Sequence, residues 1–419
     1  MRIAHFEKVI SPEVGVTLAG YGAKDVAKRL HDDLKLSVLL MDDGKKKGAI
    51  LSFDLIGLDE QFILKISQDA AAVIACEPEN VILTCTHTHS GPHTRTAYTY
   101  GANLEYMEKL FSWVREAVTA AMDKWQEVDT YFYSCQCDEN YNRRYTDGAN
   151  NGKYLPMNRS FEPLATGFKD QELGLLIFTG VGSWEPEGVL VNFAAHPLAS
   201  HSMGLGSHQI SADFPGVLRD VLAENSCWSV FLQGAAGDQF PKDAECGFEA
   251  ARRCANGVAI EVMRGLCDAP RNPDLYKIEN PEIRTSIVKV PVAIRHDKAS
   301  IGHQYPYLAG RDEVELRLHL FAVGDVCLVG VPGELFGELG QEIKWHSPFR
   351  RTFILYNSTA YISYICNANA FVSGGYETGS SQLQPYEGLK LVVAAVEGMR
   401  KIHAPFPEEL TFLFTEKEK

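Results

Sequence analysis

The chain alternates short apolar runs with longer segments of helical period. Leu36–Met41 and Gly48–Phe53 flank Asp42-Asp43-Gly44 and predict two strands joined by a turn. Residues 60–75 predict a helix ahead of a third apolar run, Val81-Ile82-Leu83, and residues 103–127 predict a longer amphipathic helix. Leu175–Thr179, Val189–Phe193 and Val230–Leu232 read as buried strands. Helices are expected to open at Ser211–Gly216 and to span 247–265 and 384–402. Glu315–Leu320 and Val326–Val331 predict a hairpin around Gly324-Asp325. Strands alternating with helices predict an α/β fold in which mixed β-sheets pack against helices. No Pro/Ser-rich linker, low-complexity segment or internal repeat is apparent, so one large domain over residues 1–419 is expected.

The chemistry lies where the apolar runs stop. Val81-Ile82-Leu83 runs into Thr86-His87-Thr88-His89-Ser90-Gly91-Pro92-His93. If the strand continues, His87 and His89 share a face at its end, where open α/β sheets bind ligands. Two neutral imidazoles there can hold a divalent ion, or one can hold it while the other moves protons. A lone His-x-His is more often a polar loop, so the other strand ends decide. Val189–Phe193 ends in Ala194-Ala195-His196-Pro197, again delivering a histidine to a loop. His201 and His208 follow in a glycine-rich stretch and leave a second metal open. Val230–Leu232 ends in Gln233-Gly234-Ala235-Ala236-Gly237-Asp238, whose small residues either let backbone N–H groups approach a ligand or simply make a tight turn. Val326–Val331 ends in Pro332-Gly333-Glu334, which offers an anionic ligand or a helix N-terminal acid.

Other segments are less specific. Residues 14–22 form a glycine-punctuated loop, and His31-Asp32-Asp33 reads as a turn with solvated charges that could approach a ligand. Residues 138–165 are polar, with Asn142-Arg143-Arg144 and Asn158-Arg159-Ser160, and arginine there suits either an oxyanion or a structural ion pair. Tyr356, Tyr361, Tyr364 and Tyr376 cluster in residues 353–377, where packing is the ordinary role of tyrosine.

Charge narrows the partners. The formal net charge is −14 without a basic cluster, which argues against nucleic acid and anionic membrane surfaces. No apolar run approaches the roughly 20 residues of a membrane span, and the N-terminal residues lack an apolar signal core. The ten cysteines are scattered without CxxC pairs, as expected for reduced, mostly buried thiols. A cytoplasmic protein acting on a small molecule, with no stable membrane association, is the expectation; the oligomeric state stays open.

The ordered set THTHSGP, AHP, GAAGDxxP, PGE and YxxY…GGYE, running from the AGYG loop to GGYE, resembles the catalytic domain of the neutral/alkaline non-lysosomal ceramidases. The resemblance implies a single catalytic domain with bound Zn2+, held by His87, His196, Glu334 and Tyr364. Tyr364 is chosen because it lies about a dozen residues before Tyr376 of GGYE. The same resemblance places His89 and Arg143 at the reacting centre, with Tyr376 as a catalytic or substrate-holding residue. It puts the turn of Gly234, Ala235, Ala236 and Asp238 at the substrate. Where that family carries a serine-bearing QxNxGDxSP segment, this turn has no hydroxyl, so attack by zinc-bound water on an amide fits better than an acyl-serine route. The secretion signal and the C-terminal immunoglobulin-like domain of that family are not expected here, and ceramide becomes doubtful as the substrate. The implied activity is a zinc-dependent amide hydrolase with His89 in proton transfer. The alternative is a metal-dependent lyase or epimerase of a polar metabolite, in which His89 would abstract a carbon-bound proton.

Overall fold

Three consecutive stretches of the chain build the same unit: two antiparallel pairings, a return through a helix into a parallel strand, and a second helix. The computed structural model describes residues 1–20, 25–96, 101–144, 167–200, 208–296 and 305–403. In the first unit β1 (Arg2–Val9), β2 (Lys35–Asp42) and β3 (Lys47–Phe53) are antiparallel neighbours. Helix α1 (Glu60–Ile74) then leads to β4 (Val81–Cys85), parallel to β3, and α2 (Leu104–Met122) closes the unit. The second unit repeats this with β5 (Gln126–Gln136), β6 (Glu172–Gly180), β7 (Pro186–Phe193), α3 (Asp213–Glu224), β8 (Trp228–Gln233) and α4 (Phe248–Arg271). The third does so with β9 (Ile283–Ala293), β10 (Glu313–Val323), β11 (Val326–Gly330), α5 (Gly337–His346), β12 (Arg351–Leu355) and α6 (Glu387–Ile402). The α/β class with mixed sheets is therefore observed. The expectation of no internal repeat is corrected: the repeat is one of topology, invisible in the residues.

Each unit buries both faces of its sheet, which explains the nearly continuous apolar runs. In β2, Leu36, Val38 and Leu40 point to α1 and α2, while Leu39 and Met41 point the other way. In the second unit Leu175, Ile177 and Val191 face Leu218 of α3 and Val258 of α4, and in the third Leu318 and Val329 face Ile343 of α5 and Leu391 of α6. The opposite faces of all three sheets share one central core, with Met41 and Ile50 from the first, Phe178 and Leu232 from the second, and Phe321 and Phe353 from the third. Gly174 in β6 fits this arrangement, because a Cβ there would lie 2.4 Å from the Phe353 ring of the third unit.

Buried polar side chains tie the units together at their parallel strands. Ser52 of β3 donates to the Phe231 carbonyl of β8 at 2.6 Å, and Thr84 of β4 donates to the Tyr356 carbonyl at 3.0 Å. Asn192 of β7 donates to the Leu232 carbonyl at 2.8 Å and to the Ile354 carbonyl of β12 at 2.9 Å. First to second, first to third and second to third, every pair of units is bonded. The first two sheets also join edge to edge through Arg2↔Glu127 and Ile3↔Gln126.

One element boundary departs from the sequence reading. The helix expected over 103–127 ends at Met122 and the chain is already β5 by Gln126, because the strand's alternating residues extend the helix's amphipathic pattern. All ten cysteines are free thiols, with Cys246 and Cys267 exposed and the others buried or half-buried. No helix among the described residues is long and apolar enough to cross a membrane. Because Phe353 fills the shared core, Phe353→Ala should lower stability by about 3–5 kcal/mol in chemical denaturation. Trp184→Ala, at a side chain 71% exposed on a hairpin turn, should change it by no more than about 0.5 kcal/mol.

Candidate metal centre

The parallel strand pairs of the three units all end at one place. After β4 come His87 and His89, after β7 comes His196, after β11 comes Glu334, and after β12 come Tyr356, Asn357 and Tyr361. His87 Nε2 and His89 Nε2 are 3.3 Å apart, and His89 Nε2 and His196 Nε2 are 3.0 Å apart. Glu334 Oε2 lies 3.7 Å from His87 Nε2 and 4.0 Å from His196 Nε2. His87, His196 and Glu334 are essentially inaccessible to solvent; His89 is half-buried.

Two of these imidazoles are oriented from behind. His87 Nδ1 donates to the Ile56 carbonyl at 2.5 Å, and His196 Nδ1 donates to the Ala236 carbonyl at 3.0 Å. With the protons on Nδ1, both Nε2 atoms present lone pairs to the centre. Burial holds both rings neutral: His87 is pushed down to about 4, and His196 well below the ordinary histidine value. A single N–H on His89 Nε2 can satisfy one of those lone pairs, leaving the other beside a carboxylate oxygen. A cation resolves this crowding of donors. The spacing also suits one, since ligands on a tetrahedral zinc stand roughly 3.3 Å apart. The residues present therefore fit a divalent metal, and His87, His89 and His196 form a group able to hold one.

The rest of the predicted constellation surrounds this group. Short parallel strands pair Glu334 with Tyr364 in register. Tyr364 is buried, its phenol pushed well above the ordinary tyrosine value chiefly by that burial, and its hydroxyl accepts from Arg143 Nη2 at 3.1 Å. Arg143 also donates to the Gly237 carbonyl at 3.0 Å, and its Nε is 2.6 Å from Glu377 Oε1. Arg144 turns the other way, binding Glu377 and donating to the Gly374 carbonyl at 2.7 Å, so Arg143 is the arginine on the tyrosine side. The Tyr376 ring meets Tyr364 edge-on at 5.6 Å and is half-exposed, at the rim of the cluster.

The turn after β8 makes internal contacts. Gly234 donates to the Phe193 carbonyl, the Ala235 carbonyl accepts from Gln239, and the Ala236 carbonyl holds His196. Asp238 is buried and pushed up to about 6 by desolvation; its carboxylate accepts from Asn142 Nδ2 at 2.8 Å and from the Gly337 N–H at 2.9 Å. Asp238 thus caps α5, and Glu334, three residues upstream of that helix, is not its N-terminal acid.

Two geometric premises are corrected. His87 and His89 do not share a strand face: β4 ends at Cys85, and His87 has φ +71°, a left-handed turn that swings both rings inward. Strict alternation along an extended segment would send Tyr361 and Tyr364, three residues apart, to opposite faces, and that geometry does not hold here. Ser363, at φ +71°, breaks the extended alternation, and the Tyr361 hydroxyl bonds Glu334 Oε1. His31 and Asp32 stand apart from the centre; the ring stacks on Phe248 while Asp32 accepts from Ser211 and the Ala212 N–H. His208 pairs with Asp25 at 2.7 Å. Tyr21-Gly22, Asn158-Arg159-Ser160 and His201 lie outside the described residues.

Sequence reasoning gave Tyr356 only a packing role, yet its hydroxyl donates to Glu334 Oε2 at 2.8 Å, and it missed Asn357, whose Nδ2 lies 2.8 Å from His87 Nδ1. It also missed Gly20, for which the only signal was its place in AGYG.

The class this geometry defines is an α/β protein with a buried histidine–carboxylate centre at the junction of three strand ends. Its fold is that of neutral ceramidase. The chain matches "neutral ceramidase from Pseudomonas aeruginosa" with a TM-score of 0.75 and 17% identity, covering 98% of this chain and 77% of that one. It matches a structure described as "Ceramidase complexed with C2" equally, at TM-score 0.75 and 17% identity, over 97% of this chain and 77% of that one. No protein-family model matches the chain, and no curated protein matches it in sequence.

Gly20 supplies a test of how the centre is closed. It has φ +104°, and a Cβ there would lie 2.3 Å from His89 Nδ1. Gly20→Ala should displace the His89 ring while leaving His87 and His196 on their carbonyls. A crystal structure of the variant with all three rings unmoved would refute this.

Proposed function

We propose that this chain is a zinc-dependent hydrolase that cleaves a non-peptide amide bond. The observation that carries the reading is the convergence of two carbonyl-braced, neutral imidazoles and a buried carboxylate, each from a different unit. The ceramidase fold and the ordered motifs support the reaction class.

His87, His196, Glu334 and Tyr364 would hold the ion. The Nδ1 braces on His87 and His196 are what metal-binding histidines ordinarily carry, and Tyr364 lies in register with Glu334. When bound, zinc supplies a Lewis acid and brings the pKa of water down to about 7. His89, the least buried of the three histidines and within 3.3 Å of both others, takes a proton from the attacking water and returns one to the leaving amine. Arg143, fixed by Glu377 and Gly237, keeps a guanidinium beside the Tyr364 oxygen and favours negative charge there. Tyr376 at the rim is placed to hold substrate, and the turn from Gly234 to Asp238 shapes the site by fixing His196 and α5. The acidic chain suits a small substrate met in water rather than an anionic lipid surface.

Purified protein should carry about one zinc per chain, and His196→Ala should lose the ion while far-ultraviolet circular dichroism stays that of the wild type. Full zinc occupancy in His196→Ala, by metal analysis, removes that ligand from the set. His89→Ala should keep its zinc and lose about 10²–10⁴-fold in turnover on a panel of N-acyl amides of graded chain length. Release of amine that stops on chelation is the expected signal. Zinc-loaded protein that releases no amine from any member, yet exchanges a carbon-bound proton, would overturn the hydrolase reading.

A further inference from the structure

Glu334 is a carboxylate 2% exposed, and a buried charge needs its oxygens satisfied. Both are. The Tyr356 hydroxyl donates to Oε2 at 2.8 Å, and the Tyr361 hydroxyl donates to Oε1. The Oε2 held by Tyr356 is also the oxygen that faces His87 Nε2 and His196 Nε2.

The two tyrosines are themselves held. Tyr356 follows β12 directly; its ring is fully buried and meets His87 edge-on at 5.0 Å. Tyr361 is 5% exposed and stacks on His87 with an interplanar angle of 14°. The Arg95 guanidinium lies over the Tyr361 ring at 3.5 Å, and Gly57 lacks the Cβ that would come within 2.8 Å of it. A cation over the ring draws electron density from the phenol and makes its O–H a better donor. Such fixed rings are unnecessary for burying two tyrosines, but they are what a carboxylate of set orientation requires.

We propose that Tyr356 and Tyr361 are positioning residues for the metal centre: their hydroxyls clamp Glu334, one on each oxygen, and aim Oε2 at the two imidazoles. The inference rests on the metal reading above and deepens it. Neither tyrosine is a ligand in this assignment. Each acts through Glu334, Tyr361 by pinning the far oxygen and Tyr356 by sharing the near one.

The test is zinc affinity, measured by competition with a chromogenic chelator, for the wild type, Tyr356→Phe, Tyr361→Phe and the double variant. Phenylalanine keeps each ring and removes only the donor. Each single variant should bind zinc about 10–100-fold more weakly, the range seen when outer-sphere partners of metal ligands are removed. Tyr106→Phe is the control, because it also deletes a buried hydroxyl, one that donates to the Ile10 carbonyl at 2.8 Å in the helix-facing core of the first unit. It should leave zinc affinity unchanged whatever it does to stability, so a merely structural role for Tyr356 and Tyr361 would make them behave like it. A wild type that binds zinc with all three clamp variants unchanged overturns the clamp and leaves the metal reading standing. A wild type that takes up no zinc overturns both. Should a variant fail to fold, a crystal structure of zinc-loaded wild type decides: either hydroxyl found beyond hydrogen-bond reach of Glu334 removes that tyrosine from the clamp.

Discussion

Three parallel strand pairs must end at one point, and buried hydrogen bonds across the unit boundaries hold them there. Ser52, Thr84 and Asn192 each place a polar group inside an otherwise apolar strand and satisfy it on a neighbouring unit's backbone. An unpaired buried donor costs about 1–3 kcal/mol, so these side chains penalise any arrangement in which the units slide or separate. The apolar core alone would tolerate several packings of three sheets; the polar bonds select one. Everything at the centre inherits its precision from that selection.

Within each unit the two strand ends divide the work in the same way. One supplies a donor and the other braces it: Ile56 after β3 braces His87 after β4, Ala236 after β8 braces His196 after β7, and Tyr356 after β12 braces Glu334 after β11. The brace is a backbone carbonyl for the two histidines, which need a proton held on Nδ1. It is a hydroxyl for the carboxylate, which needs a donor. Topological repetition thus yields a centre of unlike side chains, because the residue at the strand end can change while the paired loops keep their relation.

How much of this was legible follows from what local pattern encodes. The second, third and fourth strands of each unit are buried on both faces, so Val81–Leu83, Val189–Phe193 and Val326–Val331 announce themselves and their abrupt polar ends point to His87, His196 and Glu334. The opening strands β1, β5 and β9 went unread because they are only partly covered, and Arg2–Val9 or Ile283–Ala293 mixes charged and apolar positions without a clean period. The threefold repetition was invisible because each unit fills its core with different residues at the same places. The braces were unreadable for a deeper reason: Ile56 and Ala236 act through their carbonyls, which no side chain advertises. The direction of Tyr361 is not legible from alternation, because the left-handed turn at Ser363 has no glycine to mark it.

The donors at the centre belong to separate units, whereas the bonds that brace them are internal to each. An ion that touches His87, His196 and Glu334 together therefore recognises only the assembled molecule, and it acts as a rivet across all three seams at once. By mass action such a ligand at 100 times its dissociation constant adds about 2.7 kcal/mol to assembly. Occupancy of the centre and cohesion of the three units are then one thermodynamic quantity seen from two sides.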